Sequence, residues 1–190
     1  MLTGYRGRVS SLLRSRFLKA LIGRFQELYG RPLDGRKKLQ KLTFLVEHWS
    51  PSEEKVVRST RLTGYTFRIW MYGPFSEEIQ DDLGQLVEKG EVLEQVYWYE
   101  VTPSFNEVYL GTYVDDGEPK KLYLYSLTRP RPRLKAQVEG RLDDVLKRFG
   151  HLTPMDLEQL VNRMLRLTPL KKTEHWNETV DEYLERGALL

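Results

Sequence analysis

Apolar residues recur at three- and four-residue spacing along much of the chain, a pattern typical of helices that bury one side. Helices are predicted over about residues 8–29, 36–49, 75–89, 136–149, 153–165 and 177–185. Gly30 ends the first of them and Asp34 is the predicted N-cap of the second. Thr153 and Pro154 begin the fifth with a cap and a proline in the first turn.

The segment 67–92 is the one around which the chain is expected to be organised. It combines a strand, a corner at Gly73 and Pro74, an amphipathic helix and the start of another strand. Ser76 is placed to cap this helix, and Gly90 supplies the left-handed residue that ends it. A winged-helix module passes from its helices into its wing in this order, so the order predicts a winged-helix-like core.

Alternating, β-branched and aromatic residues predict strands over 55–60, 65–72, 92–101, 107–114 and 120–127. The first two are expected to pair as a hairpin. Asp116 and Gly117 favour a second hairpin between the last two, which is the candidate wing. A tyrosine stripe on these strands has the spacing of ordinary cross-strand pairs, with base stacking as the alternative. Its members are Tyr97, Tyr99, Tyr109, Tyr113, Tyr123 and Tyr125.

These elements predict an α+β protein with antiparallel strands in a winged-helix-like core and helices at both ends. The prolines of the connector 128–135 prevent it from forming a helix, so it marks a boundary. The predicted division is a basic N-terminal helix (1–33), an α+β core (34–128) and a C-terminal helical lobe (129–190).

The formal net charge of +3 hides an uneven distribution. Residues 1–41 contain eleven Lys or Arg against Glu27 and Asp34, or +9, so the remainder carries −6. A basic arm ahead of an acidic body indicates a surface for nucleic acid or an acidic partner, or a docking of the two charge blocks on each other. A solvated basic face is the third alternative.

The sequence lacks the residues that several classes of chemistry require. The chain has no cysteine, and its three histidines are not at metal-ligand spacing, so we predict no metal and no cofactor. The common nucleotide-binding and hydrolase motifs are missing, so we predict that the protein is not an enzyme. No apolar run reaches the roughly 20 residues of a membrane span. We expect a cytoplasmic protein without a membrane partner.

Two sets of charged residues are candidates for binding. Acidic residues crowd the first turns of helix 75–89, where they would repel DNA but suit a protein partner: Glu77, Glu78, Asp81 and Asp82. Their alternative roles are a divalent-cation site or a solvated turn that matches the helix dipole. Basic residues predicted to be exposed would carry any duplex-DNA contacts: Arg36, Lys37, Lys38 and Lys41 of helix 36–49, and Arg129, Arg131 and Arg133 of the connector.

Two motifs carry a resemblance to a known family. GRKKLQKLTFLVEHW (35–49) followed by YGPFSEEIQDDLGQLVEKGEV (72–92) resembles the phage-associated, or Panacea, family of prokaryotic proteins, which includes SocA-type antitoxins and YwgA-like relatives. The resemblance covers about residues 35–92. It implies a non-enzymatic antitoxin-like or adaptor module that grips a protein partner, such as a toxin or host factor. The alternative is a winged-helix transcriptional regulator that binds DNA, and a homodimer is compatible with either.

Overall fold

The computed structural model describes residues 3–99 and 120–187. Seven helices are present in these ranges: α1 Thr3–Tyr29, α2 Arg36–His48, α3 Glu77–Glu88, α4 Ala136–Phe149, α5 Pro154–Met164, α6 Pro169–Glu174 and α7 Val180–Glu185. Seven strands accompany them: β1 Leu33–Asp34, β2 Trp49–Ser50, β3 Lys55–Val56, β4 Arg68–Trp70, β5 Gly73–Phe75, β6 Val92–Tyr99 and β7 Lys120–Leu127. The predicted α+β class with antiparallel strands is therefore confirmed.

All the strands pair antiparallel, in three small sheets. One sheet has the order β1-β7-β6, and β6 and β7 pair along eight residues each. The other two sheets are the pairs β2-β3 and β4-β5. The predicted strand 107–114 and its turn lie outside the described residues, so the candidate wing and the winged-helix assignment stay predictions.

The hairpin predicted between 55–60 and 65–72 does not form. Residues 55–56 pair instead with Trp49 and Ser50, directly after α2. The 68–70 segment pairs with 73–75, so that the Gly73–Pro74 corner is itself a strand. The turn between β4 and β5 contains only Met71 and Tyr72, whereas the predicted pairing needs the four-residue loop 61–64, so the observed turn closes a shorter loop.

Local signals placed most helix ends correctly. Gly30 and Gly90 take positive φ angles of 64° and 65° immediately after α1 and close to the end of α3. The Thr153 side chain accepts a hydrogen bond from the Asp156 amide at the start of α5. Thr168 and Pro169 begin the short helix α6, which is not among the predicted helices.

Helix α2 lies at the centre of the molecule. Every residue from Lys38 to His48 is buried, and the helix contacts α4, α5, β1 and β5. One hydrophobic core cluster runs from Phe17 in α1 to Tyr183 in α7 and includes side chains from all three predicted segments. The division of the chain into those segments stays a prediction.

Candidate partner-binding surface

Helix α2 and the corner before α3 are joined through polar side chains of the helix. The Lys41 Nζ donates hydrogen bonds to the backbone carbonyls of Tyr72 and Pro74, both at 2.7 Å. The Gln40 amide pairs with the backbone of Ser76 by donating to its carbonyl at 2.8 Å and accepting from its N–H at 3.0 Å. The two sequence motifs are therefore in direct contact, and the polar residues of the first satisfy backbone groups of the second.

The predicted exposure of Lys38 and Lys41 is wrong. Lys38 is completely buried, its Nζ 2.9 Å from the Asp34 carboxylate and 4.9 Å from the ring centre of Phe25. Lys41 is 2% exposed. Both long side chains find acceptors inside the fold, which a helical pattern alone cannot show, so neither can reach a phosphate while the protein is folded.

Asp34 does not cap α2 as predicted. Gly35 takes the N-cap position with a φ of 93°, and no side chain makes a capping bond there. The Asp34 carboxylate is instead within hydrogen-bond distance of Lys38 and of Arg31, at 2.9 and 3.0 Å. Ser76 does occupy the N-cap position of α3, but its hydroxyl makes no capping bond, and only its backbone is held, by Gln40.

Burial lowers the pKa of Lys41 to about 7 from its usual 10.5. The charge of Glu158 opposes this shift, whereas Lys37 and Lys172 add to it. The unfolded chain keeps the Lys41 proton to higher pH than the folded protein, so the unfolded state binds more protons between pH 7 and 10.5. Lys41 therefore makes the free energy of unfolding rise with pH across this range.

We expect Lys41→Met to lower the free energy of unfolding by about 1–3 kcal/mol, because the Pro74 carbonyl loses a buried donor. Lys37→Met is the matched control one turn away, where the partly exposed ion pair with Glu158 contributes about 1 kcal/mol. Urea unfolding of both variants and of the wild type at pH 7 and pH 9.5 measures the two effects. An equal loss in both variants, or a wild-type advantage over Lys41→Met that shrinks as the pH rises, would contradict this role.

The corner presents apolar side chains to solvent. Met71 and Tyr72, in the turn between β4 and β5, are 62% and 59% exposed. Behind them the ring of Trp70 lies 5.2 Å from that of Phe75 and 5.3 Å from that of Trp176, measured between ring centres. Exposed aromatic side chains on a rigid support are typical of protein contact surfaces.

The acidic and basic blocks of the chain dock on each other, one of the three alternatives that the charge distribution left open. Arg14 of α1 contacts Asp82 through Nε at 3.0 Å and Glu78 through Nη1 at 2.7 Å. The Lys19 ammonium lies 2.5 Å from the Glu91 carboxylate. Burial opposes the charge on Arg14, but its hydrogen bond to Asp82 and the charges of Glu78 and Asp82 outweigh this effect and raise its pKa.

The four acidic candidates therefore divide into two pairs. Asp82 is 1% exposed and also accepts a hydrogen bond from the Tyr65 hydroxyl at 3.0 Å. Glu78 is partly buried and accepts from the Thr66 amide as well as from Arg14. Glu77 and Asp81 are exposed. The prediction of a solvent-facing acidic cluster is thus correct for two residues and wrong for Asp82, which lies beneath α1.

The remaining basic candidates also differ in their contacts. Arg36 donates to the Tyr125 hydroxyl at 2.8 Å and lies 3.1 Å from the Glu94 carboxylate, and Lys37 pairs with Glu158. Arg131 of the connector is largely buried and pairs with Glu27 and Glu139. Arg129 and Arg133 are exposed. DNA binding stays a prediction, and Lys38 and Lys41 no longer contribute to it.

A groove of about 540 Å³ lies between α1, the 60–64 loop and the 133–138 segment. Its charged lining consists of Arg14, Arg16, Arg61, Arg133 and Lys135. The Arg16 guanidinium donates two hydrogen bonds to the Arg133 carbonyl, at 3.0 and 2.6 Å, and so ties α1 to the connector. Sequence patterns did not indicate this groove, because its walls come from three distant parts of the chain.

Glu47 is a buried charged residue that the sequence analysis did not single out. Its carboxylate accepts hydrogen bonds from the Thr63 amide and hydroxyl and from the Ser59 hydroxyl. The Ser59 amide in turn donates to Asp181 at 2.8 Å. These bonds fix the loop that forms one wall of the groove. Helical spacing puts Glu47 on the same side of α2 as Arg36, Gln40 and Thr43, so the pattern gave no signal of its burial.

His48 follows Glu47 and is also buried. Its ring stacks on Phe44 with centres 4.8 Å apart, and Nδ1 lies 3.0 Å from the Val57 carbonyl oxygen. Burial lowers the pKa of His48, with the Val57 carbonyl opposing the shift. The other histidine with a close partner, His175, lies 2.7 Å from Glu178. In residues 3–99 and 120–187, no three His, Asp or Glu side chains are grouped to hold a metal ion.

These features define an α+β domain built around a buried helix, in which the buried charges are paired or hydrogen-bonded within the fold and Met71 and Tyr72 are exposed at the corner. The family model described as antitoxin SocA-like, Panacea domain, matches residues 39–164, and the chain belongs to this family. The predicted resemblance is confirmed, and the match extends beyond residue 92 to the end of α5. No curated protein and no solved structure matches the chain. None of the described helices is long and apolar enough to cross a membrane.

Proposed function

We propose that this protein is a non-enzymatic, antitoxin-like or adaptor module that binds a protein partner, such as a toxin or a host factor. The observation that carries the proposal is the family match over residues 39–164, which contains most of α2 and all of the corner and α3. The contacts of Gln40 and Lys41 fix the backbone of the corner behind an exposed turn. They fit a role in which this turn is held in place to contact a partner protein.

The exposed residues of α3 are the proposed acidic contacts with the partner. Glu77 and Asp81 are exposed, whereas Glu78 and Asp82 are held by Arg14 within the protein. A basic patch on the partner would meet these two carboxylates beside the apolar turn at Met71 and Tyr72. Charges at the edge of such an interface set the association rate and the salt dependence more than the affinity.

Co-expression with the product of the adjacent gene tests this function. We expect the protein to relieve growth inhibition by that product and to co-purify with it. Glu77→Lys combined with Asp81→Lys is expected to slow association by about tenfold at low salt, measured by surface plasmon resonance. Asp144→Lys with Glu174→Lys is the matched control, since both residues are exposed and the change in net charge is the same.

The proposal fails if the wild-type protein neither relieves inhibition nor binds that product, and if no other protein co-purifies from the native host. Equal slowing by both double variants would leave the partner-binding function intact but remove Glu77 and Asp81 from its contact surface.

A further inference from the structure

We propose that the groove between α1, the 60–64 loop and the 133–138 segment is the docking site for an acidic, partly apolar segment of the partner protein. This inference rests on the proposed function and adds to it the place of binding and the chemistry of the bound segment.

The first argument is the charge of the groove. Arg16, Arg61, Arg133 and Lys135 line it, and none of the four has a carboxylate partner in the part of the chain that the structure describes. No Asp or Glu is among the lining residues. Four unneutralised cations around one concave space repel one another, and a ligand with several carboxylates would relieve this repulsion.

Two other arginines of α1 show the contrast. Arg14, at the groove's edge, is committed to Asp82 and Glu78, and Arg24 is paired with Asp143 and Glu27. Arg16 lies between these two positions on the helix, yet its guanidinium donates only to a backbone carbonyl. The fold thus neutralises Arg14 and Arg24, whereas the other four cations of the groove have no carboxylate partner among the described residues.

The second argument is the apolar part of the lining. The apolar lining includes Leu13 and Phe17 of α1, Leu134 of the connector and Val138 of α4, and Leu13 is 59% exposed. A nucleic acid would satisfy the cations but would leave these apolar groups without apolar contacts. A peptide that carries Leu or Phe beside Asp or Glu satisfies both, so we favour a protein segment over DNA.

The third argument is that the groove is held in place before binding. The Glu47 carboxylate fixes the loop through Thr63, and Arg16 joins α1 to the connector through the Arg133 carbonyl. Arg61 itself sits at a φ of 56°, a conformation that this loop imposes. A wall that is already ordered loses little conformational entropy when a segment docks, which favours binding.

Selection of displayed random peptides of about twelve residues on the full-length protein tests the inference. We expect enrichment of sequences that combine Asp or Glu with Leu, Phe or Trp. Synthetic copies of the selected peptides should bind about tenfold more weakly to Arg61→Glu/Arg133→Glu, and more weakly to Leu13→Ser. The matched control is Lys89→Glu/Arg166→Glu, which alters two exposed cations outside the groove, of which Arg166 also has a positive φ.

The inference is overturned if the selected peptides lack acidic residues, if both double variants weaken binding equally, or if short duplex DNA displaces the peptides and binds more tightly than they do. Circular dichroism of each variant shows whether it is folded. If Arg61→Glu/Arg133→Glu relieves growth inhibition as well as the wild-type protein does, the groove is not the docking site, and the proposed function is unaffected. If the wild-type protein itself does not relieve growth inhibition, the proposed function is refuted.

Discussion

Replacing Arg14 by methionine is expected to lower the free energy of unfolding by about 3–5 kcal/mol. The guanidinium is the only cation that contacts the buried Asp82 carboxylate among the described residues, at 3.0 Å. After the substitution, hydrogen bonds from Tyr65 and Ser11 would remain, but the charge itself would lie uncompensated beneath α1. Urea denaturation followed by circular dichroism measures the loss.

A second substitution distinguishes a lost charge partner from lost packing. In the Arg14→Met background, Asp82→Asn should recover about 1–2 kcal/mol, because a neutral amide costs less to bury and still accepts from the Tyr65 hydroxyl. Arg58→Met is the control, since Arg58 and Glu185 form an exposed pair worth about 1 kcal/mol or less. If Asp82→Asn restores nothing, the loss comes from packing and not from the buried charge.

Replacing Gly73 by alanine is expected to destabilise the protein by about 2–4 kcal/mol. Gly73 has a φ of 81°, which an L side chain rarely adopts. A Cβ at this position would also lie 2.0 Å from the Asn162 Oδ1 of α5. The substitution would therefore strain the corner and push it away from α5, and thermal unfolding would show the effect.

Asn162→Ala separates the two contributions to this loss. Because Asn162 Oδ1 is buried without a hydrogen-bond partner, removing it is expected to cost little by itself. In that background the effect of Gly73→Ala should fall to about 1–2 kcal/mol, the strain of the backbone alone. Gly84→Ala, in the interior of α3 with open space around it, should stabilise by up to about 1 kcal/mol. A full-sized loss in both backgrounds would mean that the Asn162 contact is not the cause.

Local chemistry made much of the fold predictable. Helix ends depend on residues within one turn, such as Thr153 with Asp156 or Gly90 after α3, so the sequence indicates them directly. The connector 128–135 is non-helical, as its prolines require. The strand pairs were harder: residues 55–56 pair with Trp49 and Ser50 and not with the 65–72 segment, and the composition of a strand does not identify its partner.

The candidate binding residues were predictable only in part. Glu77, Asp81, Arg129 and Arg133 are exposed as expected. Lys38, Lys41 and Asp82 are buried because each meets an opposite charge or a carbonyl group inside the fold. Helical spacing assigns charged residues to solvent by default, and it contains no information about such partners.

The sequence by itself determined the α+β class, most helix boundaries and the family to which the chain belongs, since these depend on patterns within short stretches. Tertiary structure decided which charges are free. Arg14 and Asp82 are 68 residues apart, and Lys41 meets carbonyls 31 and 33 residues away. Whether a charged side chain is buried or available to a partner depends on what the rest of the chain places beside it, because an ion leaves water only where the fold supplies a counter-charge or hydrogen bonds.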